Sequence, residues 1–344
     1  MTFGIPETYE RVLVKAPLHF RRERVPLPDS AATDYLVRVD ACGLCRSDLH
    51  AAEDWAHDWQ EVGHEFGGTV VAAPRRDGRF AVGDRVAVRN AAACGECAAC
   101  VSGASRACAR LVVNMQGFRD YALCDERSLV DASRLDDDML ALVEPTNVVL
   151  DLLHAADLHH SHRVVVVGSG TLGLLTAYVA KHVWGSSEIV MVGRTPASPL
   201  AEVFGASTYL SFDAAGQPRS GAARVHPADR VLVTTPPSTL ESALKFCRHG
   251  GWVLTVGLDD TERCRISLDI SRLIFGQQTL KGVCAAPNAH FEQAVDVLRA
   301  HGDALRQLIG RRTPRSGLEG ALQAWHTRPH YEGKTIIVGG EAAE

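Results

Sequence analysis

The spacing of hydrophobic and polar residues changes along the chain. Residues 10–40 alternate apolar and polar side chains, for example at 11–14 and 35–39, and a second stretch of this kind covers residues 67–88. A period of two residues predicts strands with one buried face. The first part of the chain is therefore predicted to be rich in β-structure.

A different pattern begins near Arg163. Residues 164–167 are four valines, the sequence GSGTLG follows at 168–173, and helical spacing then covers residues 172–183. Strands buried on both faces read as continuous apolar runs separated by helices. The pattern predicts an α/β unit with a doubly wound parallel sheet, whose further strands are expected at 188–192, 229–234 and 251–256.

The C-terminal part returns to an amphipathic helix and one strand. Apolar residues recur at helical spacing at Phe291, Ala294, Val295 and Leu298, and residues 335–338 read as a strand. A chain of 344 residues suits two domains of ordinary size. We expect segment boundaries near residues 149 and 286.

Composition excludes several classes of protein. Hydrophobic residues make up 46% and charged residues 22% of the chain, as in a folded protein, and the net charge is -5. No block of lysine and arginine stands out, so we expect no nucleic-acid partner. No apolar run approaches the ~20 residues of a membrane span, and no signal peptide is evident. A cytoplasmic protein that binds a small-molecule substrate is expected.

Four of the ten cysteines form a compact group. Cys94, Cys97, Cys100 and Cys108 lie within fifteen residues, a spacing that favours a metal over disulfides. Four thiolates complete a tetrahedral zinc site and leave no open position. This group is predicted to hold a structural zinc ion, which stabilises its loop and cannot activate a substrate.

A second group has the ligand types of an open zinc site. The sequence ACGLCRSDLH covers residues 41–50, and Gly63, His64 and Glu65 follow. A catalytic zinc ion needs protein ligands and one exchangeable position. Cys45 and His64 are the first candidates.

These motifs, in this order, resemble the zinc-dependent medium-chain alcohol and polyol dehydrogenases. The resemblance covers nearly the whole chain and implies Cys45, not Cys42, as a zinc ligand. It implies a GroES-like β-rich catalytic domain at 1–149, with a structural zinc lobe at 94–108. A Rossmann cofactor domain is implied at 150–286, and a return to the catalytic domain at 287–344. A homodimer or homotetramer is expected.

Two glutamates are candidates for the third zinc ligand. The alcohol dehydrogenases of the family place a cysteine before the cofactor domain, but no cysteine occurs here between Cys124 and Cys247. Glu144 and Pro145 stand there and resemble the sorbitol and sugar dehydrogenase branch. Glu144 is the preferred ligand, and Glu65 is the alternative. The resemblance also implies that Ser47 accepts the substrate proton, which passes through the cofactor ribose to His50.

The glycine-rich turn predicts a dinucleotide site. Gly168, Gly170 and Gly173 follow a buried strand and open a helix, so they allow a tight turn, close approach of pyrophosphate and helix packing. The helix N-terminus stabilises phosphate. The residues expected to complete this binding site are Thr171, Leu172 and Thr234.

The cofactor is predicted to be NADP, with NAD as the alternative. NAD sites place an acid about 20 residues after the turn, to bind the ribose 2′-hydroxyl. Here Gly193 replaces that acid, and Arg194 and Thr195 follow. Arginine suits a 2′-phosphate, although Arg194 is also compatible with a solvated loop.

The expected function is hydride transfer between NADP(H) and a secondary alcohol or ketone, with two zinc ions per chain. Glu144, Pro145 and residues 282–291 resemble the sugar and polyol dehydrogenases, which implies a sugar, polyol or cyclitol as substrate. The alanine- and arginine-rich composition suits a pathway of secondary metabolism. The alternative is an NADPH-dependent reductase of a specialised ketone or aldehyde. A non-catalytic zinc- and nucleotide-binding protein is a different class, which the presence of Cys45, Ser47, His50 and His64 disfavours.

Overall fold

The computed structural model describes residues 5–28, 34–74, 78–194, 199–212, 226–259, 264–285, 287–327 and 332–339. The chain divides into two compact units. The first contains Met1–Asn147 and Ala286–Glu344, and the second contains Val148–Ala285. Within the described residues, no helix has the length and apolar character needed to cross a membrane.

The strands, in chain order, are β1 (Thr8–Lys15), β2 (His19–Pro26), β3 (Asp34–Gly43), β4 (Gln60–Glu61), β5 (Glu65–Ala72), β6 (Arg85–Val88), β7 (Ala91–Ala92), β8 (Val112–Val113), β9 (Tyr121–Asp125), β10 (Leu129–Asp131), β11 (Arg163–Val167), β12 (Glu188–Gly193), β13 (Thr208–Ser211), β14 (Ala228–Val233), β15 (Cys247–Thr255), β16 (Thr279–Gly282), β17 (Ile309–Pro314) and β18 (Lys334–Val338).

The α-helices are α1 (Arg46–His50), α2 (Ala98–Val101), α3 (Asp137–Leu140), α4 (Val143–Ala155), α5 (Thr171–His182), α6 (Pro199–Val203), α7 (Leu240–Leu244), α8 (Ile270–Gly276), α9 (Phe291–Leu305) and α10 (Leu318–Thr327). A π-helical turn, Ala51–Trp55, follows α1 directly. Short 3₁₀ turns lie at Ser105–Ala107, Glu126–Ser128, Pro237–Thr239, Arg306–Leu308 and Arg315–Gly317.

The first unit is built on a mostly antiparallel sheet with the order β10-β6-β5-β3-β18-β17, in which β9 also pairs with β3. The C-terminal strand β18 pairs antiparallel with β3 and parallel with β17. A smaller sheet has the order β2-β1-β4. Alternate residues of β3 and β5 pack into a core with Phe66, Phe118 and Leu49, because one face of each strand is apolar.

The second unit contains one sheet with the order β13-β12-β11-β14-β15-β16, in which all strands are parallel. This is the doubly wound order expected of a Rossmann sheet. Val164, Val165 and Val166 are fully buried in β11, because helices cover both faces of such a sheet. The predicted α/β fold class is confirmed.

The element boundaries differ slightly from the predicted ones. Helix α5 begins and ends one residue earlier than expected, and β15 begins at Cys247, four residues before the predicted start. The edge strands β13 and β16 and the helix α4 did not stand out in the sequence pattern. Short edge strands have exposed positions on both faces, so they lack a clear hydrophobic period.

Candidate active site

The structure brings Cys45, His64 and Glu65 together. One ligand atom from each lies within 4.8 Å of the others. The register of β3 and β5, in which Gly43 faces Glu65, accounts for the grouping. Cys45 follows β3 by two residues, and His64 directly precedes β5, so antiparallel pairing places them at the same sheet end.

Asp48 fixes the two ligand segments to each other. Its Oδ2 accepts the backbone N–H of Cys45 at 2.8 Å, and its Oδ1 accepts the backbone N–H of Gly63 at 3.0 Å. The same Oδ1 lies 3.7 Å from Nδ1 of His64. Because Nδ1 faces this carboxylate, Nε2 is the ring nitrogen that remains for a metal ion. Asp48 is 1% exposed. A carboxylate in this position orients a metal-binding histidine.

Glu65 also contacts a buried lysine. Lys334, the first residue of β18, forms an ion pair with Glu65, and both side chains are buried. The register that places Ile336 opposite Gly43 brings Lys334 to this point. A Cβ at Gly43 would collide with the Glu65 carboxylate and lie 2.8 Å from Cε of Lys334. Glycine at this position therefore makes room for the pair.

Glu144, the preferred third ligand in the sequence analysis, lies outside the group of three. Its Oε1 accepts a hydrogen bond from Asn90 Nδ2 at 2.8 Å. Burial raises the pKa of Glu144 to about 7, although His64 opposes the shift. The geometry favours the alternative, Glu65, as the ligand that joins Cys45 and His64. Glu144 lies close enough to interact electrostatically with His64, Glu65 and Lys334.

The charge of the group suits a cation. Burial alone lowers the pKa of His64, but the Cys45 thiolate and the Asp48 carboxylate outweigh it and raise the pKa well above its ordinary value. A proton on His64 thus compensates negative charge that a metal ion would otherwise compensate. One sulfur, one imidazole and one carboxylate are a donor set that zinc accepts, with a fourth position left for substrate.

Ser47 and His50 lie on the helix that Cys45 caps. The hydroxyl oxygen of Ser47 is shielded from solvent and has no hydrogen-bond partner among the described residues. His50 is 4% exposed, and its ring stacks on Trp55 with centroids 5.2 Å apart. The shielded hydroxyl of Ser47 can therefore pair with a bound molecule.

The four clustered cysteines form a second group. Their sulfur atoms lie 3.5 Å apart in the pairs Cys94–Cys108 and Cys97–Cys100, and 3.9 Å apart in the pair Cys94–Cys100. A tetrahedron with Zn–S bonds of about 2.3 Å has edges of about 3.8 Å, so the spacing fits zinc. Backbone N–H groups of Glu96 and Cys97 lower the pKa of Cys94 to about 6, whereas desolvation raises that of Cys100 to about 12.

The glycine-rich turn of the second unit has a steric basis. Gly168 adopts a φ of +123°, where L-residues are strained, and a Cβ there would collide with Thr234 Oγ1. A Cβ at Gly173 would collide with the carbonyl of Gly168. Gly170 caps α5, whose first residues are Thr171 and Leu172. The turn thus presents the helix N-terminus in the form suited to phosphate binding.

Gly193 ends β12, and Arg194 follows it with an exposed side chain. The third predicted residue of this group, Thr195, lies outside the described residues. A Cβ at Gly193 would collide with the hydroxyl of Tyr209 and lie 2.5 Å from Ser169 Oγ. These two hydroxyl groups lie 3.4 Å apart. They occupy the space that the acid of an NAD site would enter.

Sequence reasoning did not identify Lys334, Asn90 or Tyr209 as site residues. Lys334 and Asn90 lie far in sequence from the glutamates that they contact, Glu65 and Glu144, and reach them only through strand pairing and loop packing. Tyr209 lies on the edge strand β13, which the hydrophobic pattern did not predict. No local motif marks these residues, so the sequence carries no signal for them.

Comparison with known proteins agrees with this fold. The family described as alcohol dehydrogenase GroES-like domain matches residues 31–134, and the family described as zinc-binding dehydrogenase matches residues 171–300. A zinc-binding dehydrogenase structure from Sinorhizobium meliloti, bound to NADP, has a TM-score of 0.83 at 22% identity, over 97% of this chain and 100% of that one.

Two characterised relatives are dehydrogenases. L-threonine 3-dehydrogenase of Saccharopolyspora erythraea is 28% identical over 88% of this chain and 92% of its own length. L-galactonate-5-dehydrogenase of Escherichia coli is 26% identical over 70% of this chain and 73% of its own length. The fold and these matches define a zinc-binding oxidoreductase of alcohols. The chain belongs to the zinc-dependent medium-chain alcohol and polyol dehydrogenase family.

The substitution Asp48→Asn is expected to weaken zinc binding at the Cys45 group about 10- to 100-fold, as removal of a group that orients a ligand does. An amide offers one acceptor oxygen and would turn its NH₂ towards one of the two backbone donors. Zinc retention during titration with a chelator measures the change. Asp58→Asn, at a side chain that is 88% exposed, is the control. Equal zinc retention in both variants would contradict the role of Asp48.

Proposed function

We propose that this enzyme oxidises a secondary hydroxyl group of a polyhydroxylated substrate, a sugar, polyol or cyclitol, with NADP. The observation that carries the proposal is the shielded Ser47 hydroxyl on the helix capped by Cys45, beside a Cys-His-Glu group that fits zinc. The relative that acts on L-galactonate, a sugar acid, supports this substrate class.

Each residue of the site has a separate role in the proposed reaction. Cys45, His64 and Glu65 hold the metal, and Asp48 and Lys334 hold these ligands in place. When bound, zinc makes an alcohol more acidic, and the nicotinamide carries hydride. Ser47 accepts the hydroxyl proton of the substrate, and His50 is the next group to receive it. The same residues serve the reverse reaction, reduction of a specialised ketone by NADPH, which is the alternative.

We also propose two zinc ions per chain, one in each group. A cytoplasmic location agrees with this proposal, because all ten cysteines are free and zinc requires reduced thiols.

The activity is tested by nicotinamide absorbance with a panel of sugars, polyols and cyclitols, with NADP⁺ and NAD⁺ in turn. We expect NADP⁺ reduction with a member of the panel, because zinc held by Cys45, His64 and Glu65 would make the substrate hydroxyl more acidic. Cys45→Ser should abolish it and remove about one of two zinc ions, whereas Cys97→Ser should remove the other. Activity that persists in Cys45→Ser would contradict the zinc mechanism. Activity with ketones and NADPH alone would favour the reductase.

We propose that the enzyme prefers NADP because of the residues at the end of β12. Gly193 leaves no acid to repel a 2′-phosphate, and the hydroxyl groups of Tyr209 and Ser169 fill the space beside it. Arg194 is exposed next to them and can form a charge-assisted hydrogen bond with phosphate.

Arg194→Ala is expected to weaken NADP binding about 10- to 100-fold, the value of one hydrogen bond to a charged group, and to leave NAD binding unchanged. Fluorescence titration with each dinucleotide measures this. Gly193→Asp alone should abolish NADP binding without creating NAD binding, since Tyr209 and Ser169 block the new carboxylate. The triple variant that also carries Tyr209→Phe and Ser169→Gly should bind NAD. The exposed Arg272→Ala is the control. Equal loss of both dinucleotides in Arg194→Ala would contradict the proposal.

We propose that the enzyme is a homodimer or homotetramer that uses the open edge at β16. This strand ends the parallel sheet, so its outer backbone groups can pair with β16 of a second copy about a twofold axis. The preceding helix α8 exposes Ile274 (67%) and Phe275 (80%), an apolar surface that a second copy would cover.

Phe275→Glu is expected to weaken this association at least about tenfold, because burying a phenylalanine contributes about 1.5–3 kcal/mol. Sedimentation or light scattering over a range of concentrations measures the shift towards monomer. Val82→Glu, at another exposed apolar residue, is the control. An unchanged mass for Phe275→Glu would assign the interface elsewhere.

A further inference from the structure

The carboxylate of Glu53 lies between two histidines, one of which is the proposed catalytic residue His50. Glu53 belongs to the π-helical turn that follows α1, and its Oε2 lies 3.4 Å from Nδ1 of His50. The other oxygen, Oε1, lies 2.7 Å from Nδ1 of His326, near the end of α10. The two imidazoles thus contact opposite oxygens of one carboxylate, although they are 276 residues apart in the sequence, at 50 and 326.

Solvent exposure rises along this row. His50 is 4% exposed. The side chain of Glu53 is 14% exposed and that of His326 is 47% exposed. A proton that reaches His50 therefore arrives at a buried ring, and the row leads from there to a ring in contact with water.

We propose that Glu53 and His326 carry protons between His50 and solvent, an inference that rests on the proposed dehydrogenase function. During alcohol oxidation, the Nδ1–H bond of protonated His50 breaks as an O–H bond forms on Glu53. A half-turn of the carboxyl group presents that proton to Nδ1 of neutral His326, and His326 releases a proton from Nε2 to water. Glu53 returns to the carboxylate. During reduction the same transfers run in reverse.

Other charged groups surround the row. Asp54, in the same turn, has an oxygen within 4.8 Å of ligand atoms of His50 and Glu53. Arg46 of α1 lies over the ring of Trp325, the neighbour of His326, at 5.6 Å. Asp54 thus adds negative charge beside His50 and Glu53.

The group His50, Glu53 and Asp54 also has the composition of a metal site. The relay is favoured because both carboxylate oxygens of Glu53 already contact imidazole nitrogens, including that of His326, which is not part of the metal group. A third zinc ion per chain, lost in Glu53→Gln, would overturn the relay in favour of a metal site.

The first test measures turnover and proton release by the zinc-loaded enzyme in dilute buffer. Glu53→Gln and His326→Gln are expected to reduce both rates about 10- to 100-fold. Adding imidazole buffer should restore them, because a mobile base replaces the relay. Glu319→Gln removes an exposed carboxylate from α10 and is the matched control. Rates that equal wild type, or that imidazole does not restore, would overturn the proposal.

The second test needs no cofactor. Nitrogen NMR of the zinc-loaded protein reports which ring nitrogen of His50 and of His326 carries the proton, with signals assigned from His50→Gln and His326→Gln. Glu53→Gln should change this tautomer in both rings, because the carboxylate contacts Nδ1 of each. Unchanged tautomers in both rings would overturn the proposal. If the proposed dehydrogenase function is itself wrong, the wild-type enzyme will be inactive with every alcohol and ketone, which distinguishes that outcome from failure of the relay.

Discussion

The two hydrogen bonds that Asp48 accepts from backbone N–H groups hold the candidate zinc site together. One comes from Cys45 and the other from Gly63, the neighbour of His64. These donors replace the water that the buried carboxylate has lost. Asp48 therefore fixes the spacing of sulfur and imidazole before any metal binds, which is the preorganisation that a zinc site with an open position requires.

Strand register places Glu65, the candidate third ligand, and its counter-charge. β3 pairs with β5 on one side and with β18 on the other, and Gly43 lies opposite both Glu65 and Ile336. Buried Glu65 and Lys334 meet over this glycine. Because a one-residue shift in register turns every side chain to the other face, the apolar core of these strands also determines the charge of the site.

Much of the fold and of the candidate site could be predicted from local patterns. The four valines of β11, the glycines that follow them and the four clustered cysteines are each encoded in a few adjacent residues, so spacing alone predicts their structure. The choice between Glu144 and Glu65 could not be predicted in this way. Both are acidic residues beside site motifs, and only the hydrogen bond of Glu144 to Asn90 and the pairing of β3 with both β5 and β18 separate them.

The sequence by itself predicted the class of fold, the two groups of candidate zinc ligands and the dinucleotide turn, because each is marked by motifs of residues that are close in sequence. Only the tertiary structure decided which glutamate joins Cys45 and His64 and which hydroxyl groups fill the space beside Gly193. It also brought Glu53 between His50 and His326. These contacts join residues that are distant in sequence, and such pairs are specified by strand register and helix packing, which no local motif records.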